Sequence, residues 1–378
     1  MSKKIMIIAG EVSGDMHGSA LIKSIKKLEP NVNICGIGGN LMQSAGLELI
    51  YHIKEMAFLG FVEIIKHLPF IKRVQKDLLK RIKNENIKEV VLIDYPGFNL
   101  NIAPKIKKMG VKVYYYISPQ IWAWGQGRVK KIKKYIDKMI VLFPFEKEFY
   151  ERFNVEVEYV GHPLIERIQE YNFLTKEELF EKLNLQQSKE ILLVMPGSRD
   201  QEVHRIFPEV IKASKLIADK YNMHIVVACS ENINESLLKD IAENIEFTIS
   251  HGNNYDLISH AKFGIIKSGT STLESGLMQL PSIVVYKTAG LTYRIGKSLA
   301  KIKNIAMANI IIGETVFPEL IQSDVNKEKI FSEADKILSD ESFYNSIKEK
   351  LSLIREKLGT PGASKRAAEI IVAGYNEN

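Results

Sequence analysis

The sequence predicts an α/β protein of two domains facing a shared cleft, each a parallel β-sheet with helices on both faces, followed by a helical tail. Three observations carry this. Strand-like apolar runs alternate with amphipathic stretches with little spare length between them. Each half of the chain holds an apolar run that ends in a glycine turn and feeds a helix. At 378 residues the chain also exceeds the usual size of one core.

Taken in order, residues 5–9 (Ile-Met-Ile-Ile-Ala) form an unbroken apolar run, as expected of a strand covered on both faces. The run breaks at Gly10 into the turn Glu11-Val12-Ser13-Gly14, before a helix over 16–28. Further strands are expected at 32–37, 89–94, 111–117 and 138–143, with a helix such as 102–109 between most of them. Val160-Gly161-His162-Pro163 closes this half, and residues 166–185 read as polar helix, so the first domain spans 1–165. The second, 166–360, repeats the plan. Its strands are expected at 191–195, 224–228, 247–250, 263–266 and 282–286, and its main helices at 202–220 and 271–279. From Asn326 the pattern is helical only. Pro361-Gly362 then sets off residues 361–378 as a C-terminal helix, either staying with the second domain or crossing back to the first.

Hydrophobic residues make up 46% and charged residues 26%, the balance of a folded globular chain. No run approaches the roughly 18 apolar residues that would span a bilayer. Lys3-Lys4 and the apolar run after them imitate a secretory leader, but the run is short and Glu11 interrupts it. Cys35 and Cys229 fall in different domains, which argues against a disulfide framework or a zinc site and points to the cytoplasm. Net charge is +7, and basic residues crowd 66–83 and 128–134. Neither zinc-finger spacing nor an RNA-recognition motif accompanies them, so no nucleic-acid partner is expected. Anionic lipid, phosphorylated small molecules or a merely solvated face remain. The first elbow lacks Gly-x-Gly-x-x-Gly, which disfavours a dinucleotide dehydrogenase.

Chemistry concentrates at strand ends. Lys267-Ser268-Gly269-Thr270-Ser271-Thr272-Leu273-Glu274 follows an expected strand, and small hydroxyl residues at a helix start offer side-chain caps and N–H donors to a diphosphate. Glu274, one turn on, can grip ribose hydroxyls or stand exposed beside an ordinary cap. Arg199, after Pro196-Gly197-Ser198, presents a planar guanidinium near a helix start, where charge builds on a leaving phosphate. Asn309, in a predicted loop, contacts a base or phosphate or caps a turn. In the first half Asp94 ends the strand Val90-Val91-Leu92-Ile93, and Pro96-Gly97 turn the chain sharply after it. A carboxylate there suits a general base, or an N-cap. Gln120, Trp122 and Trp124 follow the next strand, and the paired indoles with Gln120 line an acceptor site or pack against the domain interface.

These segments occur in a fixed order: Glu11-Val12-Ser13-Gly14-Asp15, Gly38-Gly39, Ile93 to Asn99, Ser118 to Trp124, Phe143-Pro144-Phe145-Glu146, Gly161-His162-Pro163, Pro196 to Arg199 and Ser268 to Glu274. Over residues 4–313 the series closely resembles the lipid-A-disaccharide synthase family, glycosyltransferases of the GT-B fold with two Rossmann-like domains. The resemblance implies transfer of a 2,3-diacylglucosamine from UDP to the 6-hydroxyl of 2,3-diacylglucosamine 1-phosphate, with inversion, in lipid A biosynthesis. It implies no metal or other cofactor. Carried over by position, Asp94 is the base. Arg199, Glu274 and Asn309, with Ser268, Gly269, Thr270 and Ser271, bind UDP, and Glu11, Ser13 and Gly14 lie near the sugars. Many members have an aspartate where Gly97 stands, so that position is not indispensable. The competing reading is another UDP-sugar enzyme of this fold, an epimerase or a polyprenyl-linked N-acetylglucosaminyltransferase.

Acylated substrates require contact with a membrane, because drawing a chain into water costs roughly 0.8 kcal/mol per CH₂. Phe58, Leu59, Phe61, Ile64, Ile65, Leu68 and Phe70, bordered by Lys66 and Lys72, form an apolar stretch with a cationic edge suited to an anionic surface. Pro69 is expected to split it into two short helices. The chain is therefore expected to be cytoplasmic and peripherally associated with the inner membrane.

Overall fold

The structure, a computed structural model, describes residues 3–56, 67–123, 125–299 and 302–376. Its contacts fall into two units, one of residues up to Glu166 together with those from Leu358 onward, the other of Arg167–Lys357.

In the first unit the apolar runs become β1 (Lys4–Ala9), β2 (Asn33–Gly38), β4 (Glu89–Ile93), β5 (Lys112–Tyr116) and β6 (Lys138–Val141), joined by β3 (Leu47–His52) and β7 (Val157–Tyr159). The sheet order is β3-β2-β1-β4-β5-β6-β7, parallel throughout. β3 and β7 were not expected. Both are edge strands, so neither needs the continuous apolar run that marks a strand covered on two faces.

Two local expectations are corrected. The first helix begins at Val12 and runs to Leu28, so Ser13 and Gly14 are helical and only Gly10-Glu11 makes the turn. Pro96 and Gly97 open the helix Pro96–Lys107 instead of bending the chain away, because a first-turn proline gives up an N–H that has no intrahelical acceptor. Pro69 likewise lies in the first turn of the helix Leu68–Asn84, while residues 57–66 of the run it was expected to split lie outside the described residues. That helix buries Val74, Gln75, Leu78 and Ile82, and turns Lys72, Arg73, Lys76 and Lys80 outward.

The C-terminal helix Ala363–Asn376 packs on Val12–Leu28 and buries Ala367, Ala368 and Ile371 in the core with Leu21, Ile22 and Ile25. Its entry is clamped. The Glu166 carboxylate accepts from the Gly362 N–H (2.8 Å) and the Ser364 hydroxyl, while Arg366 donates through Nε and Nη2 to the Val160 carbonyl (2.9 and 2.6 Å).

The second unit holds β8 (Glu190–Met195), β9 (Met223–Cys229), β10 (Thr248–His251), β11 (Ala261–Lys267), β12 (Ser282–Tyr286) and β13 (Glu319–Ile321), in the parallel order β10-β9-β8-β11-β12-β13. The polar stretch expected as one helix over 166–185 is two, Pro163–Gln169 and Lys176–Lys182. Thr175 opens the second with a capping box to Glu178.

Both sheets reverse their strand order at one place, between β1 and β4 in the first and between β8 and β11 in the second. Open parallel sheets bind ligands at such switch points, outside the carboxyl ends of the strands. Ala9 pairs with Ile93 there, and Met195 with Ile266, so Gly10 lies beside Asp94 and Pro196 beside Lys267.

Candidate active site

Asp94 and Tyr95 follow β4 with φ of +43° and +46°. Two successive non-glycine residues in the left-handed region cost about 1–2 kcal/mol each, and they persist only where neighbours over-determine them. Here the neighbours are identifiable. The Asp94 N–H donates to the Tyr116 carbonyl (3.2 Å), and the Asp94 carbonyl accepts from the Tyr115 hydroxyl (2.5 Å) and from Asn99 Nδ2 (2.7 Å). Asn99, fully buried, also donates to the Ile93 carbonyl (3.1 Å). The Tyr95 ring lies where a Cβ on Gly10 would stand, so only glycine fits at the end of β1. Tyr95 caps the helix that follows, so Asp94 does not serve as its N-cap. Burial, and secondly the charge of Glu11, push the Asp94 carboxyl up to about 7 against the pull of the Tyr95 N–H. A carboxylate poised there is suited to accept a proton near neutral pH.

Around Asp94 the expected residues divide. Glu11 is exposed and near enough to act on Asp94 electrostatically, and Ser13 is half-buried in the first turn of its helix. Gly14 is buried, and a Cβ there would stand 3.2 Å from Ala9 Cβ, so it serves close helix–strand packing. Gln120 is exposed. Trp122 is buried edge-on to Phe145 at 4.9 Å, and Trp124 lies outside the described residues. Beneath this loop Glu146 is buried, accepting from the N–H groups of Leu142 (3.2 Å) and Phe143 (3.1 Å), and burial raises it to about 7. Sequence reading missed Asp15. Its carboxylate accepts from Gly39, Leu41 and Met42 N–H at 2.7, 3.1 and 3.0 Å, and so caps the helix Asn40–Ser44 that Gly38-Gly39 leave without a side-chain cap.

In the second unit the β8 turn holds Gly197 at φ +124°. Arg199, half-exposed, caps the helix Asp200–Tyr221 with extended backbone. At β11, Gly269 is the N-cap of the helix Thr270–Leu277 and no side chain caps it. The hydroxyl residues expected as caps work otherwise. Ser268 donates to the Ile305 carbonyl (3.3 Å), and the Thr272 hydroxyl donates to the Gly269 carbonyl (2.8 Å) while accepting the Met307 N–H (3.3 Å). Thr270 is exposed and Ser271 half-buried in the first turn, where the Thr272 N–H donates to the carbonyl of the N-cap Gly269 (3.1 Å).

Glu274 is half-buried, not an exposed surface glutamate. Tyr255 donates to its Oε1 (3.4 Å), and the Arg167 guanidinium lies 5.3 Å from the centre of the Tyr255 ring. Burial raises the Glu274 carboxyl, and Arg167 and Tyr255 oppose the rise. Asn309 departs from expectation. It lies in the helix Met307–Ile312, fully buried, with Nδ2 donating to the Phe317 carbonyl and Glu319 and Oδ1 accepting from Val316 and Phe317 N–H (2.8–2.9 Å). With all four positions of its amide engaged, it braces the backbone that follows Lys303, as Glu319 does by accepting from Ile305 and Ala306 N–H.

Of the apolar stretch proposed for membrane contact, Phe58, Leu59, Phe61, Ile64, Ile65 and Lys66 lie outside the described residues. Leu68 is 41% exposed, Phe70 packs edge-on to Tyr51 at 6.0 Å, and Lys72 is exposed.

The family model described as lipid-A-disaccharide synthetase matches residues 5–372. The lipid-A-disaccharide synthase of Geobacter metallireducens is 38% identical over 374 residues, covering 98% of this chain and 97% of that one. That of Coxiella burnetii is 37% identical over 372 residues, covering 98% of each. Among solved structures, the Staphylococcus aureus MnaA–UDP complex aligns with a TM-score of 0.71 at 13% identity, covering 99% of this chain and 97% of that one. The calicheamicin glycosyltransferase CalG4 aligns with a TM-score of 0.62 at 14% identity, covering 98% of each chain. At such low identity these likenesses speak for the fold alone, the GT-B architecture of two Rossmann-like domains. The full-length sequence matches are narrower, and by them the chain belongs to the lipid-A-disaccharide synthase family of glycosyltransferases.

Proposed function

We propose that the protein joins UDP-2,3-diacylglucosamine to 2,3-diacylglucosamine 1-phosphate, giving the lipid A disaccharide 1-phosphate and UDP with inversion at the anomeric carbon. In this reading residues 1–165 take the acceptor and face the membrane, and 166–360 hold the UDP-sugar. The packing of the helix Ala363–Asn376 on Val12–Leu28 supports counting the C-terminal helix with the first group. Asp94 removes the proton of the acceptor 6-hydroxyl as that oxygen attacks the donor C1. The bond from C1 to the diphosphate oxygen breaks, and its electron pair leaves with UDP. Arg199 and the N–H groups of Thr270 and Ser271, at the start of their helix, meet the charge that develops there. Glu274, held by Tyr255, binds the ribose hydroxyls, and Asn309 supports this region by fixing its backbone.

The observation that carries the reading is Asp94: a carboxylate raised to about 7, held in a strained and over-determined turn at the switch point of a chain of this family. Strain of that kind collects at functional sites. Membrane association is the finer part of the proposal. Among the described residues no helix is long and apolar enough to cross a membrane. The cationic face of Leu68–Asn84, beside the exposed Leu68, supports peripheral docking on the anionic cytoplasmic leaflet of the inner membrane.

The test mixes the protein with the UDP-diacyl sugar and the diacyl sugar phosphate and follows UDP release and disaccharide mass. Equal amounts of both products are expected. UDP release without disaccharide, or neither product, rejects the assignment.

A further inference from the structure

Lys267 ends β11 at the switch point, and its side chain is only 19% exposed. Its ammonium lies 2.7 Å from Glu202 Oε1. Glu202 sits in the first turn of Asp200–Tyr221 and is itself 16% exposed. The same carboxylate accepts the Ser198 N–H through Oε2 (3.2 Å), and its Oε1 is 3.6 Å from Arg199 Nη1. A Cβ on Gly197 would stand 2.6 Å from Oε2, so the carboxylate fills the hollow left by that glycine. Two cations and a backbone N–H thus converge on one internal anion in the β8 turn. Lys267 also reaches the other turn, since Nζ lies 3.9 Å from where a Cβ on Gly269 would be.

Resting on the reading that this unit binds UDP, we propose that Lys267 is a further diphosphate-binding residue, with Glu202 as the internal anion that keeps its ammonium and the Arg199 guanidinium in place before the nucleotide arrives. Each part has a physical reason. A lysine drawn out of water needs a partner, and a lone ammonium on a flexible stem would otherwise swing away. Glu202 supplies that partner from the β8 side while leaving the ammonium against the Gly269 turn. A diphosphate entering that turn meets a charge whose position is already fixed, which lowers the ordering cost of binding. The alternative is a purely structural ion pair tying β11 to the helix from Asp200.

The experiment is UDP titration calorimetry at low and moderate salt on the wild type, Lys267→Met, Lys267→Arg and the double variant Lys267→Met/Glu202→Gln. Lys267→Met should weaken UDP binding about tenfold and flatten its salt dependence, as expected when one charge-assisted contact is lost. Lys267→Arg should stay within about threefold of the wild type, since it keeps the charge at that position. The double variant should be at least as weak as Lys267→Met, because restoring neutrality does not restore the missing cation and also releases the Arg199 guanidinium. The proposal is overturned if Lys267→Met binds UDP like the wild type. It is equally overturned if the double variant regains wild-type affinity, since Lys267 would then only mask Glu202, or if affinity falls with an unchanged salt slope. A wild type that does not bind UDP removes the functional reading and this inference together.

Discussion

Changing the charge state of Asp94 should switch the reaction off while leaving UDP binding intact. With its carboxyl raised to about 7, the side chain is about one-tenth ionised at pH 6 and nine-tenths at pH 8. A general base acts only when ionised, so activity is present above the folded pKa and lost as pH falls through it. The profile of kcat/KM reports the free enzyme. It should therefore rise about tenfold between pH 6 and 8. Burial is the larger cause of the shift and Glu11 the smaller. Glu11→Gln should accordingly move the rising limb toward acid by less than half of the distance to an ordinary aspartate. Asp94→Asn should lower kcat by about 10²–10⁴, equivalent to roughly 3–5 kcal/mol of barrier. Its UDP affinity should match the wild type, because the residues assigned to UDP lie in the other unit. The assay is steady-state UDP release across pH 5.5–8.5, with calorimetry for UDP. A flat profile, or an Asp94→Asn enzyme within fivefold of wild-type turnover, would refute the assignment of Asp94 as base.

Three further outcomes follow from neighbouring features. Tyr115→Phe removes one of two donors to the Asp94 carbonyl, so folding should lose only about 1 kcal/mol, while kcat falls about tenfold with KM for the donor unchanged. Equal losses in kcat and in UDP affinity would mean general disruption instead. Glu89, fully buried at the start of β4, accepts from Tyr114 (3.1 Å) and is raised to about 7 by burial, against Tyr114, Lys112 and Lys3. Its folded pKa exceeds the unfolded one, so its stabilising share is complete below about pH 4.5 and lost as pH rises through 7. Urea midpoints at pH 5 and 8 should therefore show Glu89→Gln gaining on the wild type by on the order of 2–3 kcal/mol at the higher pH; no pH-dependent gain would reject the buried charge. Replacing Lys72, Lys76 and Lys80 by glutamine should weaken sedimentation with anionic vesicles at low salt, and indifference to both charge and salt would exclude electrostatic docking.

What the sequence made legible follows the physics of each element. The strands β1, β4, β5, β8, β11 and β12 lie inside their sheets and are covered on both faces, which their near-continuous apolar runs reflect, so they were visible. β3, whose residues from Glu48 onward are exposed or half-buried, and the three-residue β7 and β13 sit at or near sheet edges and lack that mark. Proline was misread at 96, and the reason is general. Whether a proline stops or starts a helix depends on which side of it the helix lies, and local composition is nearly symmetric about that choice.

The site was legible as positions and illegible as environments. Asp94, Arg199 and Glu274 could be named from their places at strand ends and helix starts. Nothing local said that Asp94 would adopt a left-handed backbone, because the groups that hold it come from β5 and from a residue five positions on. The same limit explains Asn309, where a short amide in a small-residue segment reads as a ligand-facing loop. Its actual partners, Val316, Phe317 and Glu319, are seven to ten residues away and consume every hydrogen bond it can make. It explains Lys267 in the opposite sense. It heads the hydroxyl-rich segment read as a diphosphate site, yet nothing local gave its own side chain a role, and only the pairing of β11 with β8 brings it to Glu202. Residue type thus constrains what a side chain can do, while the strand pairing at the two switch points decides which of those possibilities it realises. Burial withholds water from the Asp94 carboxyl and so raises it, and Asn309 becomes a brace because the backbone reaches it first.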